Sequence, residues 1–229
     1  MKRFRKRPDR GAACFALCPA GPCNPLLPGR ARLPTVGRMS PTFACSCGAT
    51  QWQVAPPGAG THLVCYCADC QTFPRHLGAD ILTDCGGTGL VQVAPSQVTF
   101  TRGAENLRLL KLSPKGVSRW YTGCCKTPVA NTLASAKLPF VSLMTAPFTG
   151  EAKALGPVRA HVNTVYAKGP GKPAKDRGLG LLMWNFAVRL SSERFSGRWK
   201  ETPFFAPPDW APVAEPQILT REERNRARP

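Results

Sequence analysis

No stretch of the 229-residue chain approaches the roughly 18 consecutive apolar residues of a membrane-spanning helix; the longest apolar run lies within residues 179–190. A secretory leader is not expected either. The basic start is followed by only a short apolar stretch, residues 12–17, before Pro19, Pro22 and Pro25 interrupt it. There is no Ser-His-Asp order, P-loop or dinucleotide fingerprint, and Gly86-Gly87-Thr88-Gly89 has the spacing of a turn. Aromatic residues make up only 8% of the chain and are not interleaved with its basic residues, which argues against specific nucleic-acid recognition. Histidine is rare as well, with three in the whole chain.

Acidic residues are few, 13 against 31 Lys/Arg, for a net charge of +18. The excess is uneven. Residues 1–38 carry nine Lys/Arg against Asp9, a net of +8; residues 221–229 carry four Arg against Glu222 and Glu223, a net of +2; the body keeps +8. A moderately basic body suits anionic small molecules or surfaces.

Residues 1–38 mix Arg, Pro, Gly and scattered Cys14, Cys18 and Cys23 without periodicity, the composition of a disordered basic extension, and the working protein is expected to begin near Met39. From residue 39 to 166 short segments rich in β-branched residues alternate with Gly, Pro, Asp and Ser turns, which predicts a mainly β domain. Strands are expected over residues 49–54, 79–83, 98–101, 107–112, 117–121, 138–143 and 159–165. Residues 167–202 read as a loop and a C-terminal amphipathic helix packed on that domain, with Leu179, Leu182, Met183, Phe186, Ala187 and Leu190 on its apolar face. Residues 203–229 read as a Pro-rich and basic tail.

Eleven cysteines stand against these scarcities. An odd count and clustered spacings fit a metal site in a reducing compartment, hence the cytoplasm, better than a disulfide framework. Cys65, Cys67 and Cys70 place three thiols within six residues, on an expected tight turn through Ala68 and Asp69. Cys45 and Cys47, followed by Gly48, form a two-ligand finger whose partners are expected at Cys124 and Cys125. Zinc suits such thiolates, with one or two ions per chain. Because adjacent residues project differently, the late pair supplies either two ligands or one ligand and a buried bystander. Cys85 reads as a loop or core residue.

The order Cys45-Ser46-Cys47-Gly48, then Cys65-Tyr66-Cys67-Ala68-Asp69-Cys70, then Tyr121-Thr122-Gly123-Cys124-Cys125 resembles the glutathione-dependent formaldehyde-activating enzyme and centromere protein V family, over roughly residues 42–145. The resemblance implies a zinc-binding β-tent fold. It further implies a structural zinc at the first pair and the late cysteines, and a second zinc at Cys65, Cys67 and Cys70 with an open position for a substrate thiol such as glutathione.

An open site of that kind would carry reversible carbon–sulfur bond formation, a thiol adding to a small aldehyde, and so a carbon–sulfur lyase-like activity centred on Cys65, Cys67 and Cys70. Arg75 and Lys126 are the cations expected to balance the thiolates, and His76 or Asp69, then His62 or His161, the groups expected to move the proton. Two other readings stand beside this one. The chain is a non-catalytic, zinc-stabilised module that binds an acidic partner, or Cys124 and Cys125 sense redox state.

Overall fold

The computed structural model describes residues 40–55 and 60–229. The expected disordered extension, its three cysteines and the expected start at Met39 lie outside the described residues. In chain order the regular elements are β1 (Thr42–Ala44), β2 (Gln51–Val54), β3 (Thr61–Cys65), α1 (Ala68–Leu77), β4 (Thr88–Val93), β5 (Val98–Arg102), β6 (Leu107–Lys111), β7 (Ser118–Thr122), β8 (Pro128–Thr132), β9 (Val141–Met144), β10 (Ala160–Val162), α2 (Leu179–Ser196), β11 (Phe205–Ala206), β12 (Ala211–Pro212), β13 (Pro216–Ile218) and α3 (Arg221–Ala227). The mainly β reading and the C-terminal helix hold.

Eight strands form one sheet in the order β10-β3-β4-β9-β8-β7-β6-β13, and β1-β2-β5 form a second. The large sheet is antiparallel through its middle. At its two edges the three-residue strands β10 and β13 pair parallel to β3 and β6. Its inner strands are buried on both faces, and period-2 alternation sends side chains to two separate cores. Val91, Val93, Leu107, Leu109 and Trp120 meet Phe43, Trp52 and Val54 of the small sheet. Leu90, Leu110 and Met144 point the other way, onto Phe73 and Cys70 of α1. The molecule is therefore layered, with the small sheet on one face and α1 on the other.

Helix α1 replaces the turn expected through Ala68 and Asp69. Cys67 caps its start in an extended conformation, its sulfur accepting from the Cys70 N–H at 3.4 Å. Gly78 ends the helix with φ of 68°, its N–H returning to the Arg75 and Pro74 carbonyls. Buried hydrogen bonds fix the helix to the sheet: Thr88 Oγ1 donates to the Cys70 carbonyl at 2.9 Å and Gln71 Nε2 to the Tyr66 carbonyl at 2.6 Å. The strand expected at residues 79–83 is reduced to one bridge, Leu82 to Thr88.

Two further expectations are corrected. Helix α2 docks through Leu182, Asn185, Phe186, Arg189, Leu190 and Glu193, a face rotated from the apolar one read in the sequence, and leaves Leu179, Met183 and Trp184 exposed. Polar anchors on the body set this rotation. Asn185 and Arg189 donate to Thr61 Oγ1, Arg189 also to Gln92 Oε1, and the buried Glu193 accepts from Ser96. In the Pro-rich and basic tail, residues 204–219 join the body, whereas residues 221–229 contribute no buried residue. Phe204 is fully buried, 5.2 Å from Trp120 and 6.0 Å from Phe100 between ring centroids, and β13 completes the large sheet.

Candidate metal centres

The seven cysteines singled out in the sequence come together as two clusters, Cys45, Cys47, Cys124 and Cys125 in one and Cys65, Cys67 and Cys70 in the other, the sulfurs of each lying within 4.8 Å of one another. Each cluster could hold a metal ion.

The four-thiol cluster joins two turns. In the first, Gly48 with φ of 74° returns its N–H to the Cys45 carbonyl, and the Thr50 N–H donates to Cys45 Sγ at 3.2 Å. In the second, between β7 and β8, the Lys126 N–H reaches the Thr122 carbonyl at 2.8 Å, with Lys126 in the left-handed region at φ of 57°. That tight loop lets both adjacent cysteines face the same point, so neither Cys124 nor Cys125 is a detached bystander. Sulfur separations are 3.5 Å for Cys45–Cys47 and Cys47–Cys124, and 3.8 Å for Cys45–Cys124 and Cys124–Cys125. A tetrahedral thiolate site with metal–sulfur bonds of about 2.3 Å has edges of about 3.8 Å, so the donor set fits such an ion.

Charge is unequal within this cluster. Burial pushes the Cys125 thiol up, but hydroxyl hydrogen bonds from Ser46, Thr122 and Thr127 outweigh it and bring the pKa down to about 4. Cys47 is favoured as a thiolate by the Ala49 N–H, yet its thiol neighbours Cys124, Cys125 and Cys45 push it up to about 12. A cleft of ≈400 Å³ opens beside Cys125, lined also by Ser46, Lys126, Thr127 and Asp80.

The three-thiol cluster sits where β3 ends and α1 begins. Cys65 and Cys70 are buried and Cys67 is half-buried. Hydrogen bonds from the Cys65 and Cys70 thiols, then the Cys70 N–H and the charge of Arg119, hold Cys67 as a thiolate with a pKa of about 2. Cys65, as donor to Cys67, is pushed up to about 11, and Cys70 is raised by its hydrogen bonds with Cys65 and then Cys67, and by burial. Within the trio Cys67, at the start of the helix, is therefore the thiol most favoured as a thiolate. Asn163, in the left-handed region at φ of 58°, directs its amide Nδ2 to Cys65 Sγ at 3.6 Å, and Asp176 fixes the turn by accepting from the N–H groups of Asn163 and Thr164 at 2.9 and 2.7 Å.

The cation beside this cluster is Arg119, which the sequence reading missed. It is only 3% exposed, donates to Asn131 Oδ1 at 3.1 Å, lies 5.6 Å over the Phe73 ring and approaches Asp69 at 3.9 Å. Arg119 and Asn131 are direct cross-strand partners in β7 and β8, so the pairing follows from register, which no local motif in the sequence discloses. The two expected cations lie elsewhere. Arg75 lines a surface cleft with His76, Glu223 and Arg226, and Lys126 belongs to the four-thiol side.

The histidines are also placed apart from the trio. His76 stands in the last turn of α1, its pKa lowered by burial and raised in part by Glu223. His62 bonds through Nδ1 to the Gly156 carbonyl, and His161 Nδ1 meets the Tyr66 hydroxyl at 3.2 Å. Tyr66 belongs with Val64 and Ala167 to a core separate from that of Cys65. Of the four expected proton carriers, Asp69 alone is adjacent to the trio, in the first turn of α1. Cys85 donates to the Pro170 carbonyl and joins neither cluster. Among the described residues no helix is long and apolar enough to cross a membrane.

Residues 37–179 match the model of a family described as a family of unknown function, DUF6151. That match gives no evidence for the formaldehyde-activating family that the cysteine order resembles. No curated protein matches the chain. A crystal structure of a Rhodobacter sphaeroides protein is 22% identical, over 51% of this chain and 96% of that one, with a TM-score of 0.37.

Proposed function

The chain belongs to the DUF6151 family, which brings it no assigned activity, and on the chemistry of its own residues we propose that it is a zinc-dependent, carbon–sulfur lyase-like enzyme handling a thiol adduct of a small aldehyde. The observation that carries this reading is the three-membered cluster of Cys65, Cys67 and Cys70. Among the described residues, no fourth Cys, His, Asp or Glu ligand atom joins it. Three thiolates with an open fourth position are the donor set of a reactive zinc site, whereas the four thiols of Cys45, Cys47, Cys124 and Cys125 close a structural one.

Zinc bound at the trio supplies Lewis acidity that stabilises a substrate sulfur as its thiolate. The protein's own residues do the rest. Arg119, buried beneath the cluster, offsets the excess negative charge of the thiolates. Asn163 orients Cys65 through its amide. Asp69 takes the hydroxyl proton of an S-hydroxymethyl thiol as the carbon–sulfur bond breaks, releasing the aldehyde and the thiolate.

The test is metal content followed by turnover. The full chain should carry two zinc ions and cleave S-hydroxymethylglutathione. Cys67→Ser should retain one zinc and lose turnover. Full activity in the zinc-free protein refutes the reading, and a fourth protein ligand at the trio moves the balance to a binding module.

A further inference from the structure

Away from both thiol clusters, at the start of β3 and some four strand residues (about 13 Å) from Cys65, lies a cavity of ≈520 Å³. Its polar lining is Thr61, Arg159, Asn185 and Arg189, with Leu155 and Leu181 as apolar walls. The hydrogen bonds around it are one-sided. Thr61 Oγ1 accepts from Asn185 Nδ2 and from Arg189 Nη1, both at 3.1 Å, which fills both lone pairs of a hydroxyl that is 3% exposed. Its own proton then needs an acceptor, and none is found among the described residues.

Arg189 commits its other terminal nitrogen to Gln92 Oε1 at 3.1 Å, so both of its partners are neutral. Burial lowers its pKa with no acidic group to counter the effect. Neither Arg189 nor Arg159 has a carboxylate oxygen within 4.0 Å among the described residues. The cavity therefore presents two guanidinium groups, a hydroxyl proton and an amide without an anion to receive them. The partly buried, uncompensated charge of Arg189 is costly and an oxyanion relieves it, while the exposed Arg159 adds a second guanidinium at the rim.

We propose that this cavity binds a phosphate-monoester oxyanion, whose two negative charges match two guanidiniums and whose oxygens accept from Thr61 and Asn185. The same group occurs on soluble metabolites and on the headgroup of phosphatidic acid. The exposed Leu181 in the cavity wall, and the exposed Trp184 in the same helix, make the lipid arm worth running.

The test uses the full chain and two variants. Arg159→Gln removes a side chain that makes no hydrogen bond among the described residues, and Arg189→Lys keeps a charge but loses the forked donor geometry. Calorimetric titration at fixed ionic strength with inorganic phosphate and glycerol phosphate reads the soluble source. Co-sedimentation with phosphatidylcholine vesicles, with and without phosphatidic acid, reads the lipid source. Binding in either arm that weakens by about tenfold or more in Arg159→Gln, with unchanged melting, supports the site, since a charged hydrogen bond contributes about 1.5–3 kcal/mol. Two outcomes overturn it: no binding in both arms, or binding that Arg159→Gln leaves unaltered. A chain of net charge +18 meets anionic surfaces without any built site, and the unaltered result would signify that.

Discussion

Replacing Arg119 by Met separates two opposed accounts of the three-thiol cluster by the sign of the effect. The guanidinium is 3% exposed, its Nε has no partner, and its carboxylate contact, Asp69, is 3.9 Å away and 58% exposed, so that ion pair is weak. If the cluster were neutral, Arg119 would be a poorly compensated buried charge, and an apolar side chain of similar volume would be neutral or stabilising by about 1–4 kcal/mol. If the cluster is anionic and metal-loaded, Met removes the charge that balances it. The hydrogen bond to Asn131 and the contact over Phe73 are lost in either account, but in the anionic account a buried charge is also left without its partner, at a cost of about 3–5 kcal/mol. We expect the zinc-loaded variant to be destabilised by about 3–5 kcal/mol in urea titration. Its zinc affinity, measured against a competing chelator, should fall by about 10–100-fold. A Met variant as stable as the parent when zinc-loaded, with unchanged affinity, refutes the assignment of Arg119 as the balancing cation.

Three further outcomes are expected. Cys47→Ser lowers zinc content by one ion per chain, measured by elemental analysis, whereas Cys85→Ser leaves it unchanged, since Cys85 joins neither cluster. Phe204→Ala costs about 3–5 kcal/mol in chemical denaturation, because the ring is wholly buried against Trp120 and Phe100; a cost under about 1 kcal/mol would make residues 203–229 dispensable. Hydrogen bonds from Thr164, then Asn163, hold the Asp176 carboxyl below its usual range, so the stability it contributes is fully present above that range and is lost as pH falls from it through the lowered folded value. Asp176→Ala should therefore melt below the parent at neutral pH, with the gap closing below about pH 4, and a gap that persists in acid would contradict this.

The cysteines were legible because their spacing is a local property of the chain. Even the adjacent Cys124 and Cys125 carried enough signal to be placed opposite Cys45 and Cys47, although only the tight turn at Lys126 decides that both face inward. The strands were legible where short β-rich segments stand between turn residues, as in β6 and β7. Helix α1 was not, because its cap is a cysteine and Pro74 lies inside it, both weak helix signals. Arg119 was hidden for a different reason. Its meaning depends on facing Asn131 across two strands and α1 across a layer, and neither relation exists until the sheet forms. The buried role of Phe204 was masked by the prolines around it, and the orientation of α2 by polar anchors on distant segments.

The parallel pairing of β13 with β6 has a consequence for the order of events as the chain is made. Pro216 lies opposite Leu109, so the outer edge of β6 waits for a partner synthesised 107 residues later. At translation speeds of about 5–20 residues per second, that wait lasts about 5–20 s. Throughout it the nascent sheet has an open flank formed by Leu109, Leu110 and Lys111, and a truncated chain would keep that flank for good. The last strand acts as a late seal, and interrupted synthesis would yield a species prone to edge-to-edge association even with both thiol clusters already encoded.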